Sequence, residues 1–130
     1  MHKEHHYNAR VTWTGNRGEG TANYKGYDRN HRISIEHKPD IEGSSDTAFL
    51  GDATRHNPED MLLSSLSACH MLWYLHLCAD NGIVVTDYHD DATGTMLQTD
   101  QGGHFTEVVL HPQVTITDSK GITASDTLII

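Results

Sequence analysis

Residues Asn57–Asp80, NPEDMLLSSLSACHMLWYLHLCAD, decide how this chain folds. Asn57 is a good N-cap, Pro58 suits the first helical position because its missing N–H would go unpaired there anyway, and Glu59 and Asp60 lie where the helix dipole favours negative charge. Asn81-Gly82 supplies the C-terminal stop. Between these signals, Met61 to Ala79 contains no Asp, Glu, Lys or Arg, and apolar residues fall on every face, among them Leu62, Leu66, Met71, Trp73 and Leu77. Such a pattern predicts a helix buried all round. The run approaches bilayer length, but Ser64, Ser65, Ser67, His70 and His76 interrupt it and acidic residues flank both ends, so a membrane span is set aside. The chain offers no second helix of comparable length. A second copy of the chain is therefore expected to cover what its own sheet leaves open.

Upstream, Asn8 to His37 reads as a meander of strands, with Ala9, Val11 and Trp13, then Ile33 and Ile35, alternating with polar neighbours. Between them TGNRGEGT, Thr14 to Thr21, has the glycines of a turn that lets backbone and an arginine approach another element closely. By spacing alone it is a plain hairpin turn with a solvated Arg17. The segment KPDIEGSSDTAFLGDATRH reads as a loop with a short strand at Thr47 to Leu50. Downstream, Ile83 opens a strand running to about Leu97, the turn TDQGG follows, and Phe105 to Thr117 alternates as a one-faced strand, so the two should pair antiparallel. At the end, Ser125 or Asp126 could cap a helix beginning at Thr127.

With 130 residues the chain is expected to be one domain, 1–130, of α+β class. The balance of 9 basic against 18 acidic residues disfavours nucleic acid and anionic lipid as partners. The polar start MHKEHHYNAR contains no secretory signal, and two cysteines on one helix make no disulfide framework, so the expected location is the cytoplasm. The 11 histidines are scattered, with neither HExxH nor CxxC, and no metal or other cofactor is expected.

Two residues on that helix could carry thiol chemistry. Cys69 and Cys78 are nine positions apart, which at ~100° and ~1.5 Å per residue places them on opposite faces, ~13 Å apart, too far for a disulfide within an intact helix. Cys78 reads as an inert small hydrophobe. Cys69 follows the small residues Ser64, Ser65, Ser67 and Ala68, which let a substrate come close. It lies some three turns beyond the N-terminus, out of reach of the dipole, so a nearby cation would have to favour its thiolate. Arg17 is the candidate by residue type. His70 is rotated ~100° away, and His76 shares the face but is ~10 Å along it.

The stretches WTGNRGEGT, GSSDTAFLGD, NPEDMLLSSLSACHMLWYLHL and GHFTEVVLHPQVTI resemble, in order and over nearly the whole chain, the OsmC/Ohr family of thiol-dependent organic hydroperoxide reductases. The resemblance implies an intertwined homodimer in which antiparallel curled sheets surround a long central helix from each chain. It implies a peroxidatic cysteine, Cys69, a partner arginine, Arg17, and a glutamate that orients it, Glu59. It also implies alkyl or fatty-acyl hydroperoxides as substrates and a dithiol, such as a lipoyl group, as reductant. The family continues into a further helix and a strand with a resolving cysteine, a position that Cys78 does not match, so relative to the family the chain is expected to be C-terminally incomplete. Two other functions fit the same residues: a dimeric small-ligand carrier or redox sensor without peroxidase turnover, and a metal site using both cysteines and histidines, disfavoured because the thiols diverge.

Overall fold

A computed structural model of the chain describes residues 2–117, 123–125 and 128–129. It forms two compact units, Met1–Met61 and Leu62–Ile130.

The first unit contains a three-stranded antiparallel sheet in the order β1 (Arg10–Trp13), β2 (His31–Ser34), β3 (Ile41–Gly43). Val11 pairs with Ile33, and Arg32 faces Glu42 across the β2–β3 pair. Arg32 Nε donates to Glu42 Oε1 at 2.6 Å, and Arg55 Nη1 reaches the other carboxylate oxygen at 3.1 Å. β3 lies inside the segment expected to be loop, and Thr47–Phe49 is a 3₁₀ turn where a strand was expected. Local hydrogen bonding explains the second difference. Asp46 caps the turn by accepting from the Ala48 N–H, and Leu50 closes it at φ 62°, a left-handed conformation outside the extended region of a regular strand.

Helix α1 runs from Pro58 to Asp80, with the boundaries that Asn57-Pro58 and Asn81-Gly82 predict. Asn57 Oδ1 accepts from the Asp60 N–H at 2.8 Å, as an N-cap should. At the other end Ile83 N–H reaches Cys78 O at 2.8 Å and Gly82 N–H reaches Ala79 O at 3.3 Å, with Gly82 at φ 70°. This is the Schellman arrangement, which a glycine in the left-handed region makes without strain. By length and composition α1 could cross a bilayer, a test that core helices of soluble proteins also pass.

In the second unit, β4 (Val84–Asp90), β5 (Thr93–Thr99), β6 (Gly102–Leu110) and β7 (Pro112–Thr117) follow α1. The two strands expected from Ile83 to Leu97 and from Phe105 to Thr117 do pair antiparallel, but each is broken. β4 pairs with β7 and β5 with β6, so one long hairpin is divided between two sheets. Both breaks fall at one level, Asp91-Ala92 on one arm and His111 on the other. There Asp90 Oδ1 accepts the His111 N–H at 2.6 Å, replacing a ladder bond with a side-chain bond. The chain ends in β8 (Thr123–Ser125) on β7 and β9 (Leu128–Ile129) on β6. Thus the expected C-terminal helix is corrected: Ser125 closes a strand and Leu128–Ile129 pairs with Val109 and Leu110, while Asp126 and Thr127 lie outside the described residues.

Val108, Leu110 and Val114, alternating residues of β6 and β7, are buried together with Cys78. Burial of α1 on all sides is not what one chain achieves: among its residues only Cys78 is buried, and Leu62, Leu72, Trp73 and Leu77 are 46–63% exposed. The flank of α1 toward β4 is covered. Tyr74 stacks at 5.9 Å on Tyr88, His70 Nδ1 lies 3.3 Å from the Tyr88 hydroxyl, and Ser67 Oγ donates to Asp90 Oδ2 at 2.6 Å.

Candidate active site

Arg17 belongs to the first unit, in the connection between β1 and β2, which is far more than a tight hairpin turn. The ladder continues past Trp13 through Thr14 N–H to Asn30 O and Asp28 N–H to Gly15 O, both at 2.9 Å. Gly15 is required there because a Cβ would collide with the Asp28 carbonyl. Beyond it, Asn16 Oδ1 accepts from the N–H groups of Gly18 and Gly20, each at 2.9 Å, folding the glycine-rich stretch around one side chain. Arg17 Nη2 donates to Lys25 O at 2.5 Å, and its Nε lies 3.6 Å from Asp28 Oδ1. Both members of that ion pair are about half exposed, at 51% each.

A second arginine shapes this loop and was not singled out from the sequence. Arg29 donates to Tyr27 O at 2.6 Å and Tyr24 O at 2.7 Å, while its guanidinium lies 3.8 Å from the Tyr27 ring centroid and 4.6 Å from that of Tyr24. Trp13 meets the Tyr27 ring edge-on at 5.8 Å and donates its indole N–H to Asp28 O. Two tyrosines three residues apart with an arginine two further on were the available signal; nothing in their spacing marks them as one stack.

Glu59, in the first turn of α1, is half-buried, and its Oε2 is buried with no hydrogen-bond partner among the described residues. Arg17 is engaged with Lys25 and Asp28 instead, so the first unit holds the arginine and the glutamate without pairing them. A buried carboxylate oxygen left without a donor costs ~1–3 kcal/mol, more when charged.

Cys69 is a free thiol exposed midway along α1, in the second unit, and Cys78 is free and buried. Positions 62, 69, 72, 73 and 76 fall within about 100° of one another on a helical projection. Leu62, Leu72 and Trp73 thus make the exposed face around Cys69 apolar, and Trp73 packs edge-on against His76 at 5.7 Å. Leu72, Trp73 and His76 line a shallow groove of about 220 Å³. Among the described residues, no three His, Cys, Asp or Glu side chains converge as a metal would need.

The model of the OsmC-like protein family matches residues 51–126, more than half of the chain. The chain belongs to the OsmC-like family. The matched span of this OsmC-like chain includes Glu59 and Cys69, while Arg17 lies before it. A solved structure of an OsmC-like protein of unknown function from Vibrio cholerae O1 superposes with a TM-score of 0.78 at 28% identity, over 89% of this chain and 78% of that one. The fold is therefore OsmC-like: one long helix with antiparallel sheets. No curated protein matches the chain.

Proposed function

We propose that this OsmC-like chain reduces organic hydroperoxides, working as a cytoplasmic homodimer with Cys69 as the peroxidatic residue. The observation that carries the reading is a free thiol exposed on an apolar helix face, inside the span that matches the family. The Cys69 thiolate attacks the distal oxygen of ROOH; the O–O bond breaks, the alkoxide takes a proton and leaves as ROH, and the sulfur becomes a sulfenic acid. A dithiol of lipoyl type then returns the thiol, releasing water and a disulfide, so that the two electrons given to the peroxide come from the dithiol. Leu62, Leu72 and Trp73 around Cys69 favour alkyl or fatty-acyl peroxides over hydrogen peroxide.

Arg17 is the residue proposed to stabilise the thiolate and the departing alkoxide, with Glu59 directing its guanidinium through a charge-assisted pair. The exchange gives up the Arg17–Asp28 contact, long and half exposed and of a kind worth ~0–1 kcal/mol, together with the Arg17–Lys25 hydrogen bond, and in return brings a donor to the unpartnered Glu59 Oε2, relieving a penalty of ~1–3 kcal/mol.

The test is the stoichiometric loss of cumene hydroperoxide with formation of a dimedone-reactive Cys69. The Cys78→Ser protein should keep both and Cys69→Ser should lose both. Equal peroxide loss in Cys69→Ser would overturn the proposal.

A further inference from the structure

On the flank of α1 turned toward β4, away from Cys69, lies an open cavity of about 340 Å³. It exists because Ser64, Ser67 and Ala68 on the helix face Ala92 across the gap, four small side chains where larger ones would meet. All of its lining belongs to the second unit. Its volume is at the lower end of the ~300–1,000 Å³ typical of small-molecule sites and is many times the ~30 Å³ that one water occupies.

The chemistry of the walls is asymmetric. Leu63 and Met71 supply an apolar side. From β4 come Tyr88 and Asp90, both held in place: Asp90 by Ser67 Oγ and the His111 N–H, Tyr88 by His70. Among the described residues each carboxylate oxygen accepts one hydrogen bond, and an oxygen with two lone pairs keeps capacity for another. Burial, then the Asp90 and Tyr74 charges, raises the Tyr88 pKa, so its hydroxyl remains neutral. Among the described residues the lining contains no Lys or Arg, and His89 is the one side chain there that could become positive. An anion would meet Asp90 with nothing to balance it, and a wholly apolar molecule would strip water from a carboxylate without replacing the lost hydrogen bonds.

We infer that this cavity binds a small organic cation, a primary ammonium group carried on a short apolar body. The ammonium donates to Asp90 and Tyr88, and the hydrocarbon, one ring or a few carbons long, lies against Leu63 and Met71. The net charge of −9 also attracts cations toward the chain.

Phenethylammonium is the probe, with phenethyl alcohol and phenylacetate as neutral and anionic counterparts, each titrated into the full chain and followed by amide NMR shifts. The expected result is saturable shifts at Ala68, Asp90 and Ala92 for the ammonium, with affinity at least about tenfold above that of the alcohol. Asp90→Asn should bring the ammonium down to the level of the alcohol. Ala68→Leu fills the cavity and should abolish binding of both; Ala92→Leu fills it from the strand side and decides the matter should Ala68→Leu not fold. The inference is overturned by the absence of saturable shifts with phenethylammonium, by equal affinity for the alcohol or phenylacetate, or by undiminished binding in the filled variants.

Discussion

Ser67 on α1 donates its hydroxyl hydrogen to Asp90 at the end of β4, at 2.6 Å, and the other oxygen of the same carboxylate accepts the His111 N–H, also at 2.6 Å. One side chain thus fastens the helix to the sheet at the level where both arms of the long hairpin break. Hydrogen bonds to a charged group are worth ~1.5–3 kcal/mol, so Asp90→Ala should destabilise by about that much and Ser67→Ala by ~1 kcal/mol. A double-mutant cycle in urea should give a coupling above ~0.5 kcal/mol; additive losses would mean the contact contributes nothing of its own.

The two cysteines differ in exposure, and their reactivity should follow. Cys69 is exposed and Cys78 buried. Brief treatment of the native protein with iodoacetamide, followed by peptide mass spectrometry, should label Cys69 many times faster than Cys78, and the difference should vanish in denaturant. Comparable labelling of both in the folded protein would contradict the burial of Cys78.

Glu59 and Cys69 are ten residues apart on one helix, a rise of ~15 Å, and because both side chains lean toward the N-terminus alike, that separation is kept. In the proposed dimer, two such helices packed antiparallel bring the start of one near the middle of the other, and the site becomes composite. Mixed dimers of a Cys69→Ser chain with a Glu59→Ala chain should then hold one intact site and oxidise Cys69 faster than the Glu59→Ala homodimer. Equal rates would leave the site within one chain.

Glu42 gives the first unit a defined acid sensitivity. The Arg32 hydrogen bond, seconded by the charges of Arg32 and Arg55, holds its carboxyl below the ordinary value of 4.5. A carboxylate whose pKa is depressed on folding stabilises the fold above its unfolded value, and that contribution fades as pH falls through the folded value. From about pH 6 to about pH 3, Tm should therefore fall less for Glu42→Gln than for the wild type. Parallel pH profiles would show that the Arg32–Glu42–Arg55 cluster contributes no pH-dependent stability.

The sequence was most legible where local chemistry punctuates it. Asn57-Pro58 and Asn81-Gly82 determine the ends of α1 by capping bonds made within a few residues, and no distant contact is needed to read them. It was least legible where a distant contact decides. Alternation continues through Asp90 to Ala92 as though one strand ran on, and only the His111 N–H on the other arm marks the break. Ile41–Gly43 is too short and too turn-like to announce a strand, and becomes one because β2 lies alongside. The apolar pattern of α1 describes more covered surface than one chain supplies, which is why Trp73 reads as core and is 63% exposed. Cys69 stands out as a candidate from its setting in the sequence, and its exposure, like the Glu59 oxygen without a donor, follows only from the folded arrangement.

The broken hairpin also divides its closure into a local and a long-range half. Its closed end pairs Thr99 with Gly102, almost adjacent in the chain, whereas its open end pairs Val84 with Thr117. Because the entropy lost on closing a loop grows with its length, pairing β5 with β6 from the turn costs less than pairing β4 with β7 directly, and once made it shortens the loop that β4 and β7 must close. Asp90 meeting His111 stands at that midpoint. The carboxylate that fastens the helix therefore also sits where the locally closed half of the hairpin gives way to the half closed over a longer loop.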